Sequence, residues 1–354
     1  MLQPELHRHA LAPRTTVFPF ALMTLLLLLA GVSQPAESQT YRVIYNFTGN
    51  GSDGATPYGG PTLDRSGNLY GTTYLGGTYG SGTVYRLSPR GSSWTYSSLY
   101  SFKGVSDGAG PAFGSLVIGG NRALFGTTEA GGNFGTAFAV CNCPGREIVL
   151  HRFGTGTDGA QPIGGVVLDA AGNLYGTTSF GGANGSGVVY QLSRSGSTWK
   201  QTVLYNFQGI DDGQNPVGGV VLDPAGNLYG TTFDGGINGG GTVYQLSPSG
   251  DDWIFTTLYS FSGGYGGPYN KLTLDSKGNI YGFTNGDGAF GLGSVFKLTP
   301  ANGGWTFTDL YDFTGGSQGA SPYGSVAVDA DGNVFGTAAV GGSQNQGLVF
   351  EIIP

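Results

Sequence analysis

The sequence predicts an all-β protein, a six-bladed β-propeller with four antiparallel strands in each blade and a last blade closed by the N-terminal strand. Three observations lead to this fold: the composition, a sixfold internal repeat and two incomplete chain ends. The 354 residues include 69 glycines, with 13% aromatic and only 10% charged residues. Such a chain is too apolar for disorder and too rich in glycine for a helical fold, so short strands joined by tight turns are expected.

One sequence unit recurs six times. Its clearest element, Gly-Asn-Leu-Tyr-Gly-Thr-Thr at residues 67–73, returns at residues 172–178 and 226–232, and three altered copies complete the set. Each unit contains four segments with the two-residue alternation or short β-branched runs that are typical of strands. The period is about 53 residues, measured between the prolines that open the units: Pro57, Pro111, Pro162, Pro216, Pro268 and Pro322.

The turns and the chain ends complete the fold prediction. The sequence Asp-x-x-Gly-Asn, as at residues 169–173, predicts a hairpin turn because Asp hydrogen-bonds the backbone ahead of it and Gly takes a positive φ. Residues 41–47 are similar to a fourth strand without its first three, and residues 347–352 to a third strand without its fourth. We therefore expect the N-terminal strand to complete the last blade, which leaves no unpaired edge at the join.

The first 38 residues differ from the rest of the chain. Arg8 and Arg14 precede an apolar run over residues 18–31, and Ala36-Glu37-Ser38 offers small residues for cleavage, which is the pattern of a signal peptide. The apolar run is shorter than the roughly 20 residues that span a bilayer. We therefore predict cleavage near Ser38, one propeller domain over residues 39–354 without a transmembrane segment, and a secreted location, either extracellular or periplasmic.

Charge and reactive residues exclude several function classes. The mature chain keeps a formal net charge of −7, because residues 1–38 contain equal numbers of basic and acidic side chains, and this disfavours nucleic acid as a partner. The mature chain has one histidine, His151, which excludes a multi-histidine metal centre and leaves a Ser-His-Asp triad without support. Cys141 and Cys143 predict either a local disulfide, which we favour outside the cytoplasm, or free thiols.

Several repeated segments carry a family resemblance. Gly-Asn-Leu-Tyr-Gly-Thr-Thr, Gly-Gly, Gly-Thr-Val-Tyr and Leu-Tyr-Ser-Phe, at residues 67–73, 76–77, 82–85 and 99–102, resemble the GloVer tandem repeat of exported bacterial proteins. The resemblance covers essentially all of residues 41–354. It implies a propeller-like repeat protein that is sent across the membrane, and it brings no established biochemical activity.

Carboxylates on one face are candidate ligands or catalysts. In a four-stranded blade, the loop between the second and third strands opens on the same side as the crossover to the next blade. This face receives Glu129, Asp234 and Asp287 from Gly-rich loops, together with the crossover aspartates Asp53, Asp107, Asp158 and Asp212. These groups could bind Ca²⁺ as a cofactor, or supply an acid and base for glycan cleavage. For the crossover aspartates we favour a turn-forming role.

Aromatic residues on this face indicate a binding surface. Tyr58, Tyr269 and Tyr323 follow crossover prolines and are expected near the mouth of the central channel, and Phe134, Phe180 and Phe233 lie in the Gly-rich loops or where these begin. Flat rings among polar groups suit stacking on sugars, although packing between blades would use the same residues.

The leading functional prediction is an exported, non-catalytic binding or scaffold propeller for an extracellular carbohydrate or protein. A carbohydrate-active lyase or hydrolase that uses the carboxylates of this face is one alternative. A structural cell-surface repeat protein is the other. Propellers serve all three roles, so the fold alone does not choose among them.

Overall fold

The computed structural model describes residues 42–111, 113–141, 146–154, 156–262 and 266–353. The chain divides into a unit of residues 1–44 and a unit of residues 45–354, and the blades belong to the second. Within the described ranges, regular structure consists of 25 strands and two 3-10 helices, Gly120–Arg122 and Gly316–Gln318. The protein is an all-β six-bladed propeller, which confirms the predicted fold class.

Each blade is an antiparallel sheet whose strands follow one another in chain order. Strands β1 (Gly54–Ala55) and β4 (Leu75–Gly76) pair separately, and blade 1 contains β2 (Thr62–Leu63), β3 (Leu69–Thr73), β5 (Thr83–Arg90) and β6 (Ser93–Ser101). Blade 2 contains β7 (Val117–Ile118), β8 (Leu124–Thr128), β9 (Thr136–Val140) and β10 (Glu147–Arg152), and blade 3 contains β11 (Val166–Leu168), β12 (Leu174–Thr178), β13 (Val188–Ser195) and β14 (Thr198–Asn206). Blade 4 contains β15 (Val220–Leu222), β16 (Leu228–Thr232), β17 (Gly239–Ser249) and β18 (Asp252–Ser262), and blade 5 contains β19 (Thr273–Leu274), β20 (Ile280–Thr284), β21 (Ser294–Ala301) and β22 (Gly304–Asp312). Blade 6 contains β23 (Ala320–Val328), β24 (Val334–Val340) and β25 (Leu348–Ile352).

The hydrophobic core lies between successive blades. The phenylalanine that ends each fourth-strand motif packs against an aromatic residue in the third strand of the next blade, as Phe207 does with Tyr244 at 5.2 Å between ring centroids. The same contact recurs at 4.9–5.3 Å in the other pairs, which are Phe47–Tyr85, Phe102–Phe138, Phe153–Tyr190, Phe261–Phe296 and Phe313–Phe350. Burial of these large rings supplies the main stabilisation of each interface.

The repeated glycine of the second strand is required by this packing. Gly230 pairs with Tyr244 across the sheet, and a Cβ at Gly230 would lie 2.3 Å from the Tyr244 hydroxyl oxygen. The equivalent Gly176 faces Tyr190 in the same way, with 2.5 Å between the added Cβ and the hydroxyl oxygen. The aromatic ring of the third strand therefore occupies the space that a side chain in the second strand would need.

Aspartate closes the hairpin between the first and second strands. Asp169 accepts hydrogen bonds from the backbone N–H and the side-chain amide of Asn173 at 2.8 Å each, and from the Tyr175 hydroxyl at 3.0 Å. Asp64, Asp223 and Asp275 make the same three contacts. The predicted turn-forming role of these residues is confirmed.

Closure of the last blade differs from the prediction. The sheet of blade 6 has three strands in the described part of the chain, and residues 42–49 form no strand beside β25. Tyr45 nevertheless stacks on Tyr96 of blade 1 at 4.6 Å, and Phe47 contacts Tyr85 at 5.1 Å. Asp53 then accepts a hydrogen bond from the backbone N–H of Thr48 at 2.7 Å. These side-chain contacts reproduce the packing of a fourth strand, but the backbone does not pair with β25.

Two further predictions fall wholly or partly outside the described residues. The predicted signal peptide, residues 1–38, lies outside the described residues, and so does Cys143 of the predicted disulfide. Cys141 is disulfide-bonded. No helix in the described part of the chain is long and apolar enough to cross a membrane.

Candidate functional site

The crossovers and the Gly-rich loops meet on one face, as the topology predicts. Short antiparallel bridges join the crossover to the loop after the second strand in blades 2, 3 and 4, as between Ala160 and Phe180 and between Gln214 and Asp234. The prolines that open the repeats lead from this face into the first strands. The residues just after these prolines therefore line the central cavity.

All six blades contribute to this cavity, which has a volume of about 360 Å³. Most of its wall is backbone and small side chains, because glycine or serine follows the crossover in five blades. The described lining residues are Tyr58, Gly60, Phe113, Gly114, Ser115, Gly164, Val217, Gly218, Tyr269, Asn270, Lys271, Tyr323, Gly324 and Ser325.

Four aromatic rings converge in this cavity. We call Tyr58, Phe113, Tyr269 and Tyr323 the channel mouth. Phe113 lies among the others, with centroid distances of 5.3 Å to Tyr58, 6.0 Å to Tyr269 and 6.2 Å to Tyr323. Tyr58 is 53% exposed and Tyr323 is 38% exposed, so both present ring surface to solvent. Blades 1, 2, 5 and 6 thus jointly build one aromatic surface.

The channel mouth has a polar margin. Glu129 hydrogen-bonds Tyr74, and its negative charge, followed by burial, raises the pKa of that tyrosine. Burial and then the same carboxylate raise the pKa of Tyr269. Tyr74 in turn contacts Tyr58 at 5.5 Å, and Phe233 contacts Tyr269 at 5.5 Å. Glu129 and Phe233, both predicted site residues, therefore border the channel mouth.

The other two loop carboxylates have different surroundings. Asp234 accepts a hydrogen bond from the Asn215 side-chain amide at 3.0 Å. Asp287 acts electrostatically on Asp309, whose pKa is raised by burial, by Asp312 and by Asp287, in that order. In the described residues no cluster of three or more Asp, Glu, His or Cys side chains is placed to hold a metal ion.

The crossover aspartates are held by backbone contacts. Asp212 is 7% exposed and accepts hydrogen bonds from the backbone N–H of Gln208 at 2.9 Å and from the Tyr205 hydroxyl at 2.7 Å. Asp107 likewise accepts a hydrogen bond from the backbone N–H of Lys103 at 3.0 Å. These contacts support the turn-forming interpretation over a ligand role.

Phe134 and Phe180 form a second exposed aromatic pair. They are 41% and 46% exposed and line an open cavity of about 330 Å³ together with Ala160, Gln161, Gly181 and Gly185. Their exposure means that these two rings are not interblade core. Phe233 is half-buried against Tyr269.

A family model decides the classification of the chain. The model of the Gloeobacter/Verrucomicrobia repeat matches residues 33–221 and 197–354. The chain belongs to this family. The resemblance noted from the repeated segments is thereby confirmed, and no curated protein matches the chain.

Among solved structures, the repeat protein is similar to other proteins at low identity. A protein assigned as a gluconolactonase has 14% identity and a TM-score of 0.46, over 85% of this chain and 89% of that chain. A protein from Bacteroides uniformis assigned as a 6-phosphogluconolactonase has 13% identity and a TM-score of 0.48, with 84% and 85% covered. A Thermus thermophilus protein assigned as an oxidoreductase (glucose dehydrogenase) has 14% identity and a TM-score of 0.47, with 85% and 97% covered. Likenesses at this level assign neither an activity nor a ligand.

Sequence reasoning missed three cavity residues: Phe113, Asn270 and Lys271. Phe113 was not recognised as a counterpart of the cavity tyrosines because one extra residue separates it from Pro111. The tyrosines of blades 1, 5 and 6 follow their prolines directly. Asn270 and Lys271 stand where the other copies of the repeat have glycine or serine. An alignment of the six copies, read for its exceptions, would have found both.

Proposed function

We propose that the protein is an exported, non-catalytic carbohydrate-binding propeller whose site is the channel mouth. The observation that carries the proposal is the convergence of Tyr58, Phe113, Tyr269 and Tyr323 from four blades on one cavity. Exposed tyrosine rings stack on the apolar faces of sugars, and their hydroxyl groups bind sugar hydroxyls. A volume of about 360 Å³ lies within the range of small-molecule sites.

Export is the second part of the proposal. It is supported by the basic residues, apolar run and small residues at the cleavage point within residues 1–38. An extracellular or periplasmic carbohydrate is then the available ligand class. A catalytic role would need a second carboxylate beside Glu129, at the spacing of about 5 to 10 Å used in glycoside hydrolysis.

Sugar binding by the mature chain, residues 39–354, tests the proposal. Isothermal titration calorimetry with a panel of monosaccharides and oligosaccharides should detect saturable binding. Tyr58→Ala and Tyr323→Ala should each weaken it about tenfold, because each removes one stacking ring. Both rings are exposed, so the fold should survive, and denaturant unfolding checks this.

Phe180→Ala is the matched control. Its ring is nearly as exposed as that of Tyr58, at 46% against 53%, but belongs to the Phe134–Phe180 pair. Loss of binding in Phe180→Ala with full binding in Tyr58→Ala would move the site to that second cavity. An empty panel would instead favour a protein ligand or self-assembly.

A further inference from the structure

One blade breaks the repeat inside the central cavity. After the crossover proline and an aromatic residue, blade 5 has Asn270-Lys271. The residues at the Lys271 position in the other blades are Gly60, Ser115, Gly165, Gly219 and Ser325. Small residues suffice for the fold at this position, so packing between blades does not require the lysine.

Lys271 introduces a charge into an otherwise neutral cavity. Among the described residues that line it, Lys271 is the only charged one. Among the described residues, no carboxylate forms an ion pair with its ammonium group. Burial lowers the pKa of Lys271, since the ammonium group has lost part of its hydration.

The adjacent Asn270 provides an independent observation. Asn270 lines the same cavity, and its side-chain amide nitrogen is buried without a hydrogen-bond partner among the described residues. A buried donor without an acceptor is costly, and so is a buried ammonium group without a counter-ion. An acidic group on a ligand would satisfy both.

We propose that the cavity selects a monoanionic sugar, whose acid group pairs with Lys271 and Asn270 while its ring contacts the channel mouth. This inference rests on the proposed function and specifies its ligand class. One ammonium and one amide donor match a single negative charge better than a phosphate dianion. A carboxylate, as in a uronic acid, and a sulfate monoester share this chemistry.

Matched sugars test the inference. Affinities of the mature chain are measured for glucose, glucuronate and glucose 6-sulfate, and for the corresponding galactose and mannose sets. In at least one set the acidic sugar should bind about tenfold or more tightly than the neutral one, as expected for a charge-assisted hydrogen bond. A gain with the uronate alone identifies a carboxylate, and a gain with the sulfate ester identifies a site that recognises charge.

Two substitutions of the lysine complete the experiment. Lys271→Ser, which installs the residue of blades 2 and 6, should bind neutral and acidic sugars equally and still fold, whereas Lys271→Arg should keep the preference. Neutral sugars that bind the native protein as tightly as acidic ones would overturn this inference and leave the proposed function standing. If no sugar binds at all, the proposed function falls, and the inference with it.

Discussion

The boundary between blades 3 and 4 and the boundary between blades 1 and 2 use the same repeat but pack differently. At the first, Tyr205 stacks on Phe255 at 4.1 Å. At the second, Tyr100 occupies the place of Tyr205, and the strand register puts Glu147 at the position of Phe255. The aromatic stack is thus replaced by a carboxyl group. Regular copies of the repeat build the scaffold, and the exceptions introduce charge.

The exceptional boundary is polar around Glu147, although Phe102 and Phe138 pack together there as their counterparts do at the other boundaries. Glu147 lies in an open cavity of about 360 Å³ that is also lined by Lys103, Asp107 and Arg152. One carboxyl oxygen of Glu147 is buried without a hydrogen-bond partner in the described residues. Burial and then the charge of Asp107 raise the pKa of Glu147 from its ordinary value of 4.5 to about 7, although Arg152 and Lys103 oppose the shift.

The largest effect is expected from breaking the regular boundary. Gly230→Ala places a Cβ 2.3 Å from the hydroxyl oxygen of Tyr244, which is fully buried against Phe207. Overpacking of this kind costs about 2 to 3 kcal/mol of unfolding free energy. Urea unfolding of the mature chain measures the loss. Gly120→Ala is the control, because a Cβ there meets nothing within 4 Å, and equal losses in the two variants would contradict this packing account.

The second prediction concerns the boundary between blades 1 and 2 and the pH dependence of its stability. The raised pKa means that the folded protein favours the protonated form of Glu147. The contribution of this group to the unfolding free energy is therefore fully present below pH 4.5 and is lost as the pH rises to about 7. Glu147→Gln removes this loss. After allowance for partial exposure, the variant should be about 1 to 2 kcal/mol more stable than the native protein at pH 8 and nearly equal to it at pH 4.

Urea unfolding at several pH values measures this difference. Glu351→Gln, on the outer strand β25, controls for the removal of one negative charge. A Glu147→Gln variant whose advantage does not change between pH 4 and pH 8 would show that the carboxyl group titrates normally in the folded protein.

The fold was predictable because its determinants recur. The hairpin aspartate recurs in five of the six units and the second-strand glycine in all six, so the blade pattern is visible without an alignment of relatives. Closure was less predictable. Phe47 reaches Tyr85 like its five counterparts, yet backbone pairing depends on main-chain positions that side-chain patterns do not specify.

The candidate site was only half predictable for the same reason. Tyr58, Tyr269 and Tyr323 were found because they occupy one position in the repeat. Asp287 was grouped with Glu129 and Asp234 by loop type alone, but it acts electrostatically on Asp309 and Tyr259. Lys271 was overlooked because the sequence prediction relied on residues that recur in the repeat, and this lysine replaces a small residue in one copy.

The smallest effect is expected when the stabilities of two crossover aspartate variants are compared. Asp212, between blades 3 and 4, binds the Tyr205 hydroxyl at 2.7 Å and the Gln208 N–H at 2.9 Å. Asp158, between blades 2 and 3, has longer contacts of 3.1 Å to His151 and 3.2 Å to the Gly154 N–H. Asp212 also accepts a hydrogen bond from the Gly209 N–H at 3.1 Å. We expect Asp158→Ala to lose about 1 kcal/mol less unfolding free energy than Asp212→Ala, because fewer donors lose their acceptor.

Urea unfolding and sugar titration of both alanine variants would decide what these aspartates do. A turn-forming role predicts lowered stability in each and unchanged sugar affinity in both. If Asp158→Ala instead weakened sugar binding while leaving stability intact, the crossover would belong to the binding face. The exception at His151 would then have a functional meaning, since it replaces the tyrosine that pairs with the crossover aspartate at the regular boundary.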